Sequence, residues 1–130
     1  LQALARPLEL GALLERRTKE LSFGERKRAA LALAMAHRPR ILLLDEPLTG
    51  MDPEVEPQAV ALLAESAGAG TAVVISTHNL AVAMGCDRVV VLRGGHIARV
   101  LPGEAARADG GSALRELFRG PPGEAAGSEP

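Results

Sequence analysis

Two short, solidly apolar runs constrain this chain more than any other feature: ILLLD at residues 41–45 and TAVVIST at residues 71–77. Both are too short for a helix, rich in branched aliphatic residues and bounded by Pro, Gly or polar residues. That predicts strands buried on both faces. Between them Asp52-Pro53 reads as a helix start, with a carboxylate at the N-cap and proline at the first helical position. The helix is expected to reach about Ala67, with Val55, Ala59, Leu62 and Leu63 facing inward. Pro57 would cost it a hydrogen bond in the second turn, and the glycines at 68 and 70 would end it. A strand–helix–strand order implies a parallel pair joined by a right-handed crossover, hence an α/β class. Ligands of such sheets gather beyond the carboxyl ends of the strands. Asp45-Glu46 and Thr77-His78 lie at two such ends.

Residues 1–20 carry Leu8, Leu10, Leu13 and Leu14 among charges and read as helix broken at Pro7. A further helix is predicted from Ser22 to about His37, stopped by Pro39. NLAVAMG (79–85) reads as a short helix, and RVVVLRGGHIARV (88–100) as two strands around a tight hairpin at Arg93-Gly94-Gly95. The tail from Gly120, GPPGEAAGSEP, holds too few large apolar residues to fold and is expected to be disordered.

The 130 residues fit one small domain or a piece of a larger one. Phe23 and Phe118 are the only aromatic residues, which removes stacking platforms for nucleic-acid bases. A net charge of −1 argues against a nucleic-acid binder driven by bulk positive potential. Cys86 is the only cysteine, so no internal disulfide forms, which suits a reducing compartment. The longest apolar run, residues 29–36, is far below the roughly 18–20 residues that span a bilayer. The opening LQALARPLEL has no methionine and no signal-peptide pattern, and it suggests a fragment.

Three places carry candidate chemistry. Asp45, at the end of a buried strand, would be held in place and poorly solvated, which suits an outer ligand of a hard cation. Glu46, one residue on, is placed to orient or deprotonate a water; an acidic turn closing a strand explains both equally simply. Ser22 and Glu25 form an S-x-x-E capping box. The same helix end, with the Ser22 hydroxyl and the amide at Gly24, also makes an anion site. His78 projects from the end of the second strand, either as a structural hydrogen-bonder or as a working group. Arg26, Lys27 and Arg28 read first as a solvated helix face, and so do Arg16, Arg17 and Lys19.

The order LSFGE, helix, ILLLDEP, LTGMD, helix, VVISTH resembles the carboxyl-terminal half of an ATP-binding-cassette (ABC) ATPase. LSFGE is similar to that family's signature motif, ILLLDE to its Walker B strand, LTGMD to its D-loop and His78 to its switch histidine. The resemblance implies a partial P-loop NTPase fold: a mostly parallel sheet with flanking helices and a carboxyl-terminal β-hairpin. Residues 1–38 would belong to a helical subdomain, residues 39–119 to the ATPase core, and residues 120–130 to a tail. It further implies ATP and Mg²⁺ as cofactors. Asp45 would hold the metal through water, Glu46 would polarise the attacking water and His78 would contact the γ-phosphate. Ser22, Gly24 and Glu25 would serve a nucleotide held by a facing subunit, with Asp52 at the interface between the two.

The implied partners are a second ATP-binding subunit and a transmembrane permease on the cytoplasmic face of a membrane, with no direct role for nucleic acid. Phe23 departs from the glycine usual at its place in the signature. No G-x-x-x-x-G-K-[ST] phosphate loop occurs, since no glycine here is followed by lysine. The adenine-stacking aromatic and the glutamine loop are missing too. The chain by itself is therefore expected not to hydrolyse ATP. A soluble ABC-type ATPase and a non-catalytic binding remnant are the rival readings.

Overall fold

The computed structural model describes residues 2–119, and their packing gathers into two units, one ending at Thr77 and the other beginning at His78. In the first unit the expected long leading helix is reduced to α1 (Gln2–Ala5) and two 3-10 turns, Gly11–Leu13 and Thr18–Glu20. Pro7 cannot donate to a helical ladder, and Glu9, with φ of 50°, reverses the chain immediately afterwards. Helix α2 (Phe23–Ala36) follows, with Ser22 as N-cap and His37 as C-cap. It buries Leu31, Ala32 and Met35.

Strands β1 (Ile41–Asp45) and β2 (Ala72–Ser76) pair in parallel, with Ile41 opposite Ala72 and Asp45 opposite Ser76. Helix α3 (Glu56–Gly68) is the crossover between them and packs on β2. It starts one turn later than Asp52: the N–H groups of Val55 and Glu56 both bond the Asp52 carbonyl, so a turn stands ahead of the helix. Asp52 caps that turn, its Oδ1 accepting from the Glu54 N–H at 2.8 Å. The late start puts Pro57 in the first turn of α3. A missing N–H has no helical partner to lose there, so the expected cost does not arise. Val55, Ala59 and Leu63 are buried as their spacing implies.

The strands are not buried on both faces. Leu42 is buried, whereas Ile41, Leu43 and Val74 are 65%, 71% and 57% exposed. One crossover helix covers one face of a pleated pair, and side-chain alternation leaves the other open.

In the second unit α4 (Leu80–Met84) is capped by Asn79, whose Oδ1 accepts from the Ala81 N–H at 3.0 Å. Strands β3 (Arg88–Arg93) and β4 (His96–Pro102) pair antiparallel, with an irregularity at Val91/Leu92. The turn between them sets Gly94 and Gly95 at φ of 52° and 76°, the conformation a two-residue hairpin of the primed type requires. Helices α5 (Gly103–Arg107) and α6 (Ser112–Arg119) pack together beyond it. Cys86 is half-buried; desolvation and then the neighbouring Asp87 push its thiol up, away from the reactive thiolate. The expected disordered tail lies outside the described residues. Among those described, no helix is long and apolar enough to cross a membrane.

Two leucines of α2 give a controlled test of this packing, since Leu31 is 2% and Leu33 65% exposed. In urea denaturation, Leu31→Ala is expected to cost about 2–4 kcal/mol through a core cavity. Leu33→Ala should stay within about 0.5 kcal/mol of the parent, as an exposed substitution does.

Candidate functional site

The amino-terminal end of α2 is built by a reciprocal pair of hydrogen bonds. Ser22 Oγ accepts from the Glu25 N–H at 3.2 Å, and Glu25 Oε2 accepts from the Ser22 N–H at 2.6 Å. The other oxygen of Glu25 accepts from Arg16 Nη1 at 3.0 Å. Arg16 is itself held by the Glu20 carbonyl at 2.5 Å. The Ser22 N–H lowers the Glu25 pKa most, and the Ser22 hydroxyl, Arg16 and Arg28 add to that effect against a smaller push from desolvation. Arg16 is therefore more than a solvated charge: it fixes the carboxylate that closes the helix end.

Two glycines bring this helix end against the loop after β1. A Cβ on Gly24 would lie 2.6 Å from the Gly50 carbonyl oxygen, and a Cβ on Gly50 would lie 2.7 Å from Cδ1 of Phe23. Gly50 also has φ of 76°, where a side chain is strained whatever the space. LSFGE and Gly50-Met51-Asp52 consequently share one open depression of about 740 Å³, lined by Arg16, Ser22, Gly24, Arg28 and Asp52 among others. Ser22, Gly24, Glu25 and Asp52, expected separately from the sequence, stand together here. The sequence signal for this meeting was a pair of glycines in two different motifs, which no single-motif reading joins.

A second cluster forms at the carboxyl end of β1. The Ser76 hydroxyl donates to Asp45 Oδ1 and accepts from the Glu46 N–H at 2.9 Å. Glu46 has φ of 44°, uncommon for a residue with a side chain. Thr49 Oγ1 donates to Glu46 Oε2 at 2.8 Å. From α2, Lys27 Nζ donates to the Glu46 carbonyl at 2.8 Å and reaches the Asp45 carbonyl at 3.5 Å. Its ammonium stands 5.6 Å from the centre of the Phe23 ring. Reading Lys27 as part of a solvated face missed this, and nothing in the sequence alone marks Ser76 or Thr49.

Asp45 is fixed, as expected, but its side is exposed rather than poorly solvated, because it ends a pair of strands open on one face. His78 lies past the end of β2 at an exposed bend that begins the second unit. Among the described residues no three or more His, Cys, Asp or Glu side chains converge as a metal cage. An accessible carboxylate beside a second one fits a different donor set, that of Mg²⁺, which takes one or two carboxylates and completes its shell with water and phosphate oxygens.

The sequence model described as ABC transporter matches residues 1–49. The lipoprotein-releasing system ATP-binding protein LolD 2 of Caulobacter vibrioides is 41% identical over 95 residues, 72% of this chain and 42% of that protein. An ABC transporter ATP-binding/permease protein of Mycobacterium tuberculosis is 40% identical over 88 residues, 68% of this chain and 10% of that one. Among solved structures, the dimeric ATP-binding cassette MJ0796 in a post-hydrolysis state bound to ADP and Pi superposes with a TM-score of 0.70 at 27% identity. That match covers 78% of this chain and 44% of that one. An ATP binding subunit of an ABC transporter gives a TM-score of 0.78 at 26% identity, over 90% of this chain and 50% of that one. The chain thus spans less than half the length of each of these two relatives.

The capping pair makes the helix end acid-sensitive. The folded-state pKa of Glu25 is depressed, so its contribution is complete above the ordinary glutamate value and lost as pH falls through the folded value. Protection of the first-turn amides of α2, their exchange relative to an unstructured chain at the same pH, is expected to fall over that acid window, and Glu25→Gln should remove that fall. Gly24→Ala sets two effects against each other. Alanine favours a helix over glycine by about 1 kcal/mol, but the new methyl meets a backbone carbonyl, and overpacking costs about 1–3 kcal/mol. The clash is expected to win, seen as a lower urea midpoint for Gly24→Ala than for the parent.

Proposed function

The chain belongs to the ABC transporter family of ATP-binding proteins, and from that premise we propose that it is the carboxyl-terminal portion of an ATPase subunit that powers transmembrane transport. The observation that supports this most is the shared depression where Ser22, Gly24 and Asp52 meet at a helix end, whose first amides have no partner within the helix. In this reading the Ser22 hydroxyl and the Gly24 amide bind the γ-phosphate of ATP held by a facing subunit. Arg16 and Arg28 line the same depression, paired with Glu25 and Glu9, and Asp52 stands at the interface between the two subunits. Glu25 keeps the helix end in shape for this task.

The second cluster serves the chain's own nucleotide. Asp45 would hold Mg²⁺ through water, and the ion when bound neutralises charge on the phosphates. Glu46 orients the attacking water and accepts its proton, while His78 contacts the γ-phosphate. Placement and charge stabilisation account for most of phosphoryl-transfer catalysis, so each of these residues does a defined part. No G-x-x-x-x-G-K-[ST] phosphate loop occurs within the sequence given. We take residues 1–38 as part of the helical subdomain and residues 39–119 as part of the ATPase core. The assembled subunit works as a dimer on the cytoplasmic face of a membrane and passes the motion of ATP-driven closure to a transmembrane permease.

The test is Glu46→Gln in the complete subunit. It is expected to lower ATP turnover by roughly 10²–10⁴-fold, the scale of a lost general base. ATP binding, measured by equilibrium dialysis, should be retained. Unchanged turnover would refute the assignment of Glu46.

A further inference from the structure

Glu46 occupies a backbone conformation that its side chain disfavours, and the two peptides that flank it are held from different parts of the fold. Its N–H donates to the Ser76 hydroxyl at 2.9 Å, and its carbonyl accepts from Lys27 Nζ at 2.8 Å. We propose that Ser76 and Lys27 are positioning residues that jointly grip Glu46 in its left-handed conformation, and so aim its carboxylate. The proposal rests on the reading of Glu46 as the water-orienting group.

The chemistry of each grip is economical. A serine hydroxyl has one proton to give and two lone pairs. Ser76 gives its proton to Asp45 Oδ1 and accepts from Glu46, so one oxygen fixes a carboxylate and the next backbone amide together. Parallel pairing places it there, since Ser76 is the register partner of Asp45. Lys27 makes a charge-assisted bond, the stronger kind, from a half-buried position on α2. Its second approach, 3.5 Å to the Asp45 carbonyl, keeps the ammonium over the same corner. Thr49 then meets the carboxylate itself, with Oγ1 donating to Oε2 at 2.8 Å. A left-handed residue with a side chain persists only where its surroundings over-determine it, and strand and helix supply that here.

Lys27 also belongs to the helix that begins at Ser22, and its ammonium stands over the Phe23 ring. The grip therefore ties the placement of Glu46 to the helix end that carries the signature residues.

The experiment measures Lys27→Met, Ser76→Ala and their combination in the complete subunit, beside Glu46→Gln. Each single change is expected to lower kcat roughly ten- to a hundredfold, as small misplacements of a reacting group do, with half-saturating ATP unchanged. Because both act through the backbone of one residue, the double variant should fall little below the worse single one. Lys27→Arg and Ser76→Thr keep the donors and the hydroxyl and should restore most of the turnover. A readout independent of activity is amide exchange at Glu46 without nucleotide, expected to quicken in Ser76→Ala while the amides of β1 keep their protection. Parental kcat in either single variant, losses that multiply in the double, or unchanged exchange at Glu46 would each overturn the grip while Glu46→Gln is inactive. Normal turnover by Glu46→Gln would instead overturn the functional reading, and with it the purpose of the grip.

Discussion

The parallel register between β1 and β2 is the constraint on which the rest of the first unit depends. It sets Asp45 opposite Ser76, and a one-residue slip would turn every side chain of one strand to the other face. With the register fixed, a hydroxyl reaches both the Asp45 carboxylate and the next amide. The chain then leaves the strand through a left-handed residue and a loop that returns to α2. The crossover α3 maintains the pairing by covering one face, and its buried Val55, Ala59 and Leu63 are the apolar residues that do so.

Close backbone approach is the second requirement. Gly24 and Gly50 lie where a methyl group on either would strike the other segment. This contact merges a helix end and a strand-exit loop into one depression. It also gives Phe23 a place, with its ring against Gly50 and beside Lys27. The departure from glycine at this position is accommodated by leaving the backbone amides and the Ser22 hydroxyl at the helix end, and sending the ring sideways.

Much of this was legible in the sequence because the signals were local. The capping box at Ser22 and Glu25, the helix it starts, both strands and the glycine hairpin depend on neighbouring residues, and they stand as their patterns imply. What escaped was set by partners distant in the chain. Arg16 and Lys27 looked like solvated charges until Glu25 and the Glu46 carbonyl supplied partners. Ser76 is an unremarkable strand residue until register sets it beside Asp45. Residues 1–20 misled because leucine spacing suggested a helix, whereas Pro7 and the reversal at Glu9 divide the segment into turns. The strands looked doubly buried because composition reports apolarity and not how many layers are present to cover it.

Ile41, Leu43 and Val74 make one apolar face of the parallel pair, and a face of that composition is the kind that a further layer of structure covers. A charge at Leu43 would leave the strand register intact and make the segment a poorer component of a layered sheet.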